Sequence, residues 1–457
     1  MRIVSAYNTF MRWSVNKGVL YTAISAAIII GGALVAIQYA KGGYRVTDTG
    51  WQRDTGLLSA NSFPTGAQVK LNGRLVAATD QTLYLDPGDY EVEISKDGYQ
   101  PWYKTMIIEK ELVTQTNALL FPAAPSLTTL TFTGVEHILP SPDGQKLLYY
   151  TASVSAERKR GLYILDLASS QFSLQKGPRQ IVEETSQINL EKATAIWSPD
   201  STELLLITPN KELLLQVDRL NDTNQLKDVS FQRKQILSEW EEEMYLRERQ
   251  FMREFPEEIV AMATTSAQDV HFSPDKKRLL YTATAELTIP QIITPPLPAS
   301  STQPEVRTIT PGGIYVYDRE EDKNFQVGSV VLSQGNGVKH LLANDVFSPN
   351  PVTLAASPSA FLTLQATTSA ETATNFARYH TPLFANTFQW YPDSAHLLYR
   401  EDSELKVVSY DATNPTTVYS GPFYENFLYP WPDGKRLIIL TSFSPSAPAN
   451  LYAVELE

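Results

Sequence analysis

The pattern of apolar and polar positions divides the chain into three regimes, and the first is a run with no polar face at all. From Gly18 to Ala40 there are 23 consecutive uncharged residues, including Ala26-Ala27-Ile28-Ile29-Ile30 and Ala33-Leu34-Val35-Ala36-Ile37. At about 1.5 Å per helical residue, such a run covers a hydrocarbon core of about 30 Å. A secretory signal has a shorter apolar region, roughly 7 to 15 residues, and Gln38-Tyr39-Ala40 is a poor cleavage site. The pattern predicts a retained transmembrane helix over 18–40, behind a short cytoplasmic segment 1–17. Arg2, Arg12 and Lys17 precede the span and Lys41, Arg45 and Arg53 follow it, so the basic residues tie across it. An N-terminus inside is expected from the nature of the domains that follow.

After a linker over 41–54 the period shortens to two. Gln68-Val69-Lys70-Leu71-Asn72-Gly73 and Leu83-Tyr84-Leu85-Asp86-Pro87-Gly88-Asp89-Tyr90-Glu91-Val92-Glu93-Ile94 alternate between core-facing and water-facing positions. Asn72-Gly73 and Pro87-Gly88 supply tight turns. Residues 55–122 therefore read as a compact antiparallel β-sandwich, too small for a buried catalytic pocket. Its blocks Phe63-Pro64-Thr65-Gly66-Ala67-x-Val69, Asn72-Gly73, Leu85-x-Pro87-Gly88-x-Tyr90 and Lys96-x-Gly98-Tyr99-x-x-Trp102 resemble the PEGA domain. Thr65 stands where that family's signature has Glu. The resemblance implies a surface-associated β-sandwich and brings no catalytic residues.

Beyond Pro122 a short block recurs. It reads Ser141-Pro142-Asp143-Gly144, Trp197-Ser198-Pro199-Asp200-Ser201, Phe272-Ser273-Pro274-Asp275-Lys276, Tyr391-Pro392-Asp393-Ser394 and Trp431-Pro432-Asp433-Gly434, each followed by an apolar strand. Pro fixes φ at the first turn position, Asp bonds back to the turn backbone, and Gly tolerates the left-handed position that follows. Several blocks lead to a second strand ending in an acid, as in Leu162-Tyr163-Ile164-Leu165-Asp166, Ile314-Tyr315-Val316-Tyr317-Asp318 and Val407-Val408-Ser409-Tyr410-Asp411. Repeated hairpins of this kind are the signature of β-propeller blades.

The turn aspartates are spaced 57, 75, 118 and 40 residues apart, where a four-stranded blade needs about 40 to 50. The second spacing is explained by a helical insertion over 234–260, where Trp240, Met244, Phe251, Phe255 and Ile259 recur at helical intervals and Glu243 pairs with Arg247. That insertion is expected on a propeller face or rim, with partner binding as the alternative. The third spacing leaves room for a degenerate blade around Phe347-Ser348-Pro349-Asn350, so five to six blades are predicted. Proline at 290, 295, 296, 298, 304 and 311 predicts a disordered loop over 286–312. The Ala/Thr/Ser-rich stretch 352–374 is either another such loop or the weak blade.

The whole region 123–457 resembles the TolB-type β-propeller. The order of anchor, small sandwich and propeller looks like a family of PEGA-containing membrane proteins.

Composition narrows the chemistry. A net charge of −12 and no evident basic patch argue against a nucleic-acid partner. The absence of Cys removes disulfides, thiolate nucleophiles and cysteine metal sites. His137, His271, His340, His380 and His396 lie far apart, and no nucleophile elbow, phosphate loop, dinucleotide fingerprint or zinc-protease motif occurs. The recurrent Asp143, Asp200, Asp275, Asp393 and Asp433 could suggest calcium, but their fixed place in a turn favours a structural role.

The sequence thus predicts an all-β protein with one transmembrane helix and the C-terminal domains outside the cytoplasm. It is expected to bind or scaffold a protein or envelope glycan, not to act as an enzyme, with no catalytic, cofactor-binding or metal residues and no cofactor. An envelope hydrolase with carboxylates at the propeller channel and a purely structural envelope component are the alternatives.

Overall fold

A computed structural model describes residues 17–40, 44–47, 50–53, 55–152, 160–168, 177–222, 224–297, 301–332, 338–342, 388–424, 427–444 and 447–457. The degenerate-blade candidate at 347–350 and the stretch 352–374 lie outside the described residues.

Helix α1 (Lys17–Ala40) follows the uncharged run, with 24 residues of helical backbone. Its side chains are described at Gly18, Tyr21, Thr22 and 24–34. Among the described residues no helix is long and apolar enough to cross a membrane.

The small domain packs two sheets face to face. One has the strand order Arg74–Ala78, Gln68–Leu71, Gly88–Ser95, Trp102–Ile108, and the other the order Val113–Gln115, Gly56–Ala60, Gln81–Leu85. Alternate residues from both meet in a core that includes Leu58, Val69, Val92, Ile94, Trp102 and Ile108. Asn72 and Gly73 both have positive φ, 50° and 76°, as a mirror-image hairpin turn requires. The sandwich is not purely antiparallel. The departing strand Val113–Gln115 runs parallel to the entering strand Gly56–Ala60, and Ala118–Leu119 runs parallel to Ser62–Phe63. The departing strands thus run beside the entering ones in the same direction, so the chain leaves the sandwich at the end opposite to its entry.

Five blades follow. The first is Glu136–Pro140, Lys146–Thr151, Gly161–Asp166, Arg179–Glu183, and the second is Thr194–Trp197, Glu203–Ile207, Glu212–Gln216. The third is Ala267–Phe272, Arg278–Ala283, Gly313–Asp318, Lys323–Leu332, Val338–Leu342, and the fourth is Gln389–Trp390, His396–Glu401, Glu404–Ser409, Thr416–Tyr419. The fifth takes Leu428–Pro430, Arg436–Thr441 and Asn450–Glu455 from the C-terminus and completes itself with Leu127–Thr129 from the N-terminal end of the region. That pairing ties the two ends of the propeller together, which removes an open edge at the seam.

Burial on both faces explains why the second strand of each blade is almost continuously apolar. Leu147 and Tyr149 face the fifth blade, while Leu148 and Tyr150 face the second. Leu280 and Val316 of the third blade meet Leu397 and Tyr399 of the fourth, whose Leu398 and Val407 meet Leu437 and Ile439 of the fifth.

The helical insertion breaks at Pro256 into α2 (Arg233–Met252) and α3 (Glu257–Thr265), because proline cannot continue the helical ladder. Both helices pack on blade residues. Leu237 and Trp240 of α2 pack on Ile196 and Leu205 of the second blade, while Phe255, Ile259 and Met262 pack on Leu279, Tyr281 and Tyr317 of the third. The helices bridge two blades, as the blade-to-blade contacts do elsewhere. The expected pair of Glu243 and Arg247 is present at 2.8 Å.

The described parts of the proline-rich segment, 286–297 and 301–312, differ from the expected disordered loop. Leu287–Thr288 pairs with Thr308–Ile309, Ile289 and Ile309 are buried, and the Asp322 carboxylate accepts the N–H groups of Ile292 and Ile293 at 2.7 and 2.8 Å. Proline removes donors from a segment, but its neighbours' remaining donors are here collected by one carboxylate.

Candidate functional site at the domain junction

The five Pro-Asp turns share one construction. In each, the residue after Asp has φ between 62° and 72°: Gly144, Ser201, Lys276, Ser394 and Gly434. Asp143, Asp200 and Asp275 each accept a bond from the preceding Ser hydroxyl, at 2.5, 2.6 and 2.5 Å, and one from a backbone N–H two residues on. Where Tyr391 replaces Ser, Asp393 instead accepts Ala395 N–H and His396 N–H and lies 2.6 Å from His396 Nδ1. Burial pushes the Asp393 carboxyl up, but the His396 charge and these hydrogen bonds outweigh it and hold it below the ordinary carboxylate range. His396 opens the strand His396–Glu401 directly after this turn.

These turns also bind neighbouring blades. Asp143 N–H donates to Ser201 Oγ at 3.1 Å and Asp275 N–H to Ser394 Oγ at 3.0 Å. Tyr429 OH reaches Gly144 O at 3.0 Å, and Tyr391 OH donates to Gly434 O. Between the second and third blades α2 takes over, with Arg247 Nη1 on Pro199 O at 3.0 Å and Lys276 Nζ 4.9 Å from the Phe251 ring centre. The sequence showed Ser and Lys after Asp only as turn residues, since their partners belong to other blades.

The remaining histidines do not converge with these groups. His271 is held by its surroundings in the neutral form, burial pushing its imidazole down to about 4. His137 has φ 51° in a bulge of the first blade, His340 lies in the strand Val338–Leu342, and His380 lies outside the described residues. Among the described residues no three or more His, Asp or Glu side chains are placed to hold a metal ion.

The densest polar constellation lies where the small domain meets the propeller. Trp102–Ile108 is an edge strand of the sandwich, and its outward backbone groups alternate along residues 103, 105 and 107. Tyr103 N–H donates to Asn414 Oδ1 at 3.2 Å, Thr105 O accepts Gln303 Nε2 at 2.8 Å, and Ile107 N–H donates to Thr302 Oγ1 at 3.4 Å. An exposed edge invites pairing with another chain, and the propeller covers this one with the turn 410–415 and the proline-rich segment. Gln100 adds a side-chain bond to Thr417 O.

At the centre Lys104 Nζ lies 2.5 Å from Asp411 Oδ2, with the Asp411 side chain 1% exposed. Ser301 Oγ donates to the same oxygen at 3.2 Å, and Thr413 Oγ1 to the other at 2.6 Å. Burial pushes the Asp411 carboxyl up, but the Lys104 ammonium and these donors win and hold it below its usual range. Beside the pair, Phe121 of the small domain's exit joins the core of the fourth and fifth blades through Tyr391, 6.2 Å between ring centres.

A cleft of about 130 Å³ opens along this seam, between Ile107 and Thr114 on one side and Leu297 and Lys323 on the other. Ligand pockets are usually about 300 to 1,000 Å³, so the seam has the dimensions of a joint. The acid at the end of a blade strand was visible in the sequence. Its lysine, 307 residues away, was not.

No curated protein matches the sequence. Solved structures similar to the chain include a putative TolB from Agrobacterium tumefaciens, at 11% identity and TM-score 0.21 over 77% of this chain and 80% of that one. TolB from Acinetobacter baumannii gives 11% and 0.20 over 80% of this chain and 60% of that one. An oligogalacturonate lyase from Vibrio parahaemolyticus gives 7% and 0.22 over 80% and 86%. The blade assignment rests on the strand pairing described above and takes nothing from these scores. Residues 55–123 match the PEGA domain, which agrees with the sandwich, its hairpin at Asn72-Gly73 and its exit beside Phe121.

Proposed function

We propose that this protein is a membrane-anchored extracytoplasmic binding or scaffold protein that holds a β-propeller in a fixed orientation for a protein or envelope-glycan partner. The observation that carries the reading is the junction. A buried ion pair, a covered edge strand and a shared aromatic core are the features of a joint that transmits orientation, whereas a flexible tether would need none of them.

The anchor reading draws on α1, where Ile28, Ile29, Ile30 and Leu34 are 69%, 70%, 61% and 59% exposed. Such a surface suits a hydrocarbon environment. A binding role in place of catalysis is supported by the turn aspartates, whose carboxylates are engaged by their own turns, and by the small volume of the seam.

The test exploits the absence of cysteine. A K192C variant places one thiol on an exposed propeller loop. Labelling by a membrane-impermeant maleimide, in cells whose outer layers are permeabilised and whose cytoplasmic membrane is intact, is the expected result. Labelling only after that membrane is broken would place the propeller inside and contradict the proposal.

A further inference from the structure

We infer that the outer face of the small domain's three-stranded sheet rests on the lipid surface beside the anchor, through a row formed by Val113, Leu57 and Tyr84. The inference rests on the anchor reading above and gives this face its partner.

Strand pairing builds the row. Val113 is registered opposite Leu57, and Leu57 opposite Tyr84, and the side chains of paired residues stand on the same face of a sheet. The core lies on the other face, where the neighbouring Leu58 is buried, so these three point outward. Val113 is 43% and Tyr84 45% exposed, and Leu57, with a strand on either side, is half-buried. The next row along the same strands is Gln115, Ser59 and Thr82, all polar.

Apolar character thus falls away from the point where the chain enters. Leu57 stands two residues after Thr55, at the end reached from α1, and the polar row lies one step further on. Such an order suits a domain standing at a lipid surface, with the apolar row nearest the hydrocarbon and the tyrosine ring at head-group level.

The linker keeps the face within reach. Tyr44–Thr47 and Gly50–Arg53 pair as a hairpin with Tyr44 opposite Arg53, which leaves six residue steps between Ala40 and Thr55 outside it. At about 3.5 Å a step and about 5 Å across the pair, Thr55 stands no more than about 26 Å from the end of α1. A tether of that length supplies the local concentration that three side chains need, whereas a free protein partner uses roughly 20 to 30 residues a side. The turns beyond the row hold Asp86, Asp89, Glu109 and Glu111 against Lys110, and the linker holds Lys41, Arg45 and Arg53 against Asp48 and Asp54. Acids exceed bases, so the contact is apolar and requires no anionic lipid.

The test uses the full chain reconstituted in phosphatidylcholine vesicles, with an environment-sensitive dye on a single cysteine. Q115C places the dye in the row beside the apolar one, and D97C places it in an exposed turn at the opposite end of the sandwich. Lipids with a nitroxide at head-group depth are expected to quench the dye at Q115C more strongly than at D97C. Adding V113S and Y84S to Q115C should lower its quenching to the D97C level, Y84W should preserve it, and phosphatidylglycerol in the vesicles should leave it unchanged. Equal quenching at the two sites, or Q115C quenching unaltered by V113S and Y84S, would overturn the contact. So would a Q115C dye shielded from the lipid quencher in proportion to the number of chains per vesicle, which would give the face to a second copy. A chain that fails to float with the vesicles refutes the anchor reading and this contact with it, whereas flotation without preferential quenching refutes the contact alone.

Discussion

At the residue scale the turn after each first strand is a small machine for closing a blade and touching the next one. The left-handed residue is Gly in two turns and Ser or Lys in three. The non-glycine choices cost roughly 1 kcal/mol or more of backbone strain, which the Ser201 and Ser394 hydroxyls offset by accepting a bond from the adjacent blade. Pro, Asp and the left-handed position were legible in the sequence because they act within five residues. The hydroxyl's second role was not, because its partner Asp143 lies 58 residues from Ser201.

Turn aspartates, a buried histidine and the junction aspartate set the acid response. His271 is depressed in the folded state from an ordinary value of 6.5 to about 4 by burial, so the unfolded chain takes up a proton first. Its contribution is present above about pH 6.5 and is lost as the pH falls toward 4. Asp143, Asp200 and Asp411, all held below 3.8, lose theirs only as the pH falls further. Urea denaturation from pH 8 to 3 should show a decline in two stages, and H271N should flatten the upper one. A wild-type profile flat between pH 6.5 and 4 would contradict the burial of this histidine.

At the element scale the helical insertion carries the larger lesson. Its periodicity revealed a helix and its apolar residues, yet nothing in one stretch of sequence distinguishes a rim helix from a spacer between blades. Only the fold shows Leu237 and Trp240 on one blade and Ile259 and Met262 on another. If α2 and α3 bridge the ring, Trp240→Ala should destabilise the whole propeller by about 3–5 kcal/mol, measured as a single shifted urea transition. Loss of helical signal with the main transition unmoved would mean that the helices do not join the two blades. The order of the described part of the proline-rich segment was not legible for a related reason: local composition reports missing donors, whereas Asp322, which collects the N–H groups of Ile292 and Ile293, comes from the next turn of the blade.

At the scale of the whole molecule, the sandwich and the blades could each be read from periodicity and turn residues, but their relation could not. Lys104 is one of many lysines in an alternating strand, and Asp411 one of several acids ending a blade strand. Only the fold brings them to 2.5 Å. Removing one member of a buried pair costs about 3–5 kcal/mol when the other stays buried and unpaired. Here the molecule has a cheaper route, since opening the joint rehydrates Asp411. The K104M variant should therefore express the loss as domain separation, with each domain still folded.

The most direct test of that joint measures the distance between the domains. Spin labels on D86C and K192C, in a chain with no other cysteine, should give one narrow distance distribution by pulsed electron paramagnetic resonance. In K104M the distribution should broaden, and the charge-swapped K104D/D411K should narrow it again. A broad distribution in the wild-type pair, unchanged by K104M, would mean that the small domain is a loose tether and that the propeller is not held in a fixed orientation.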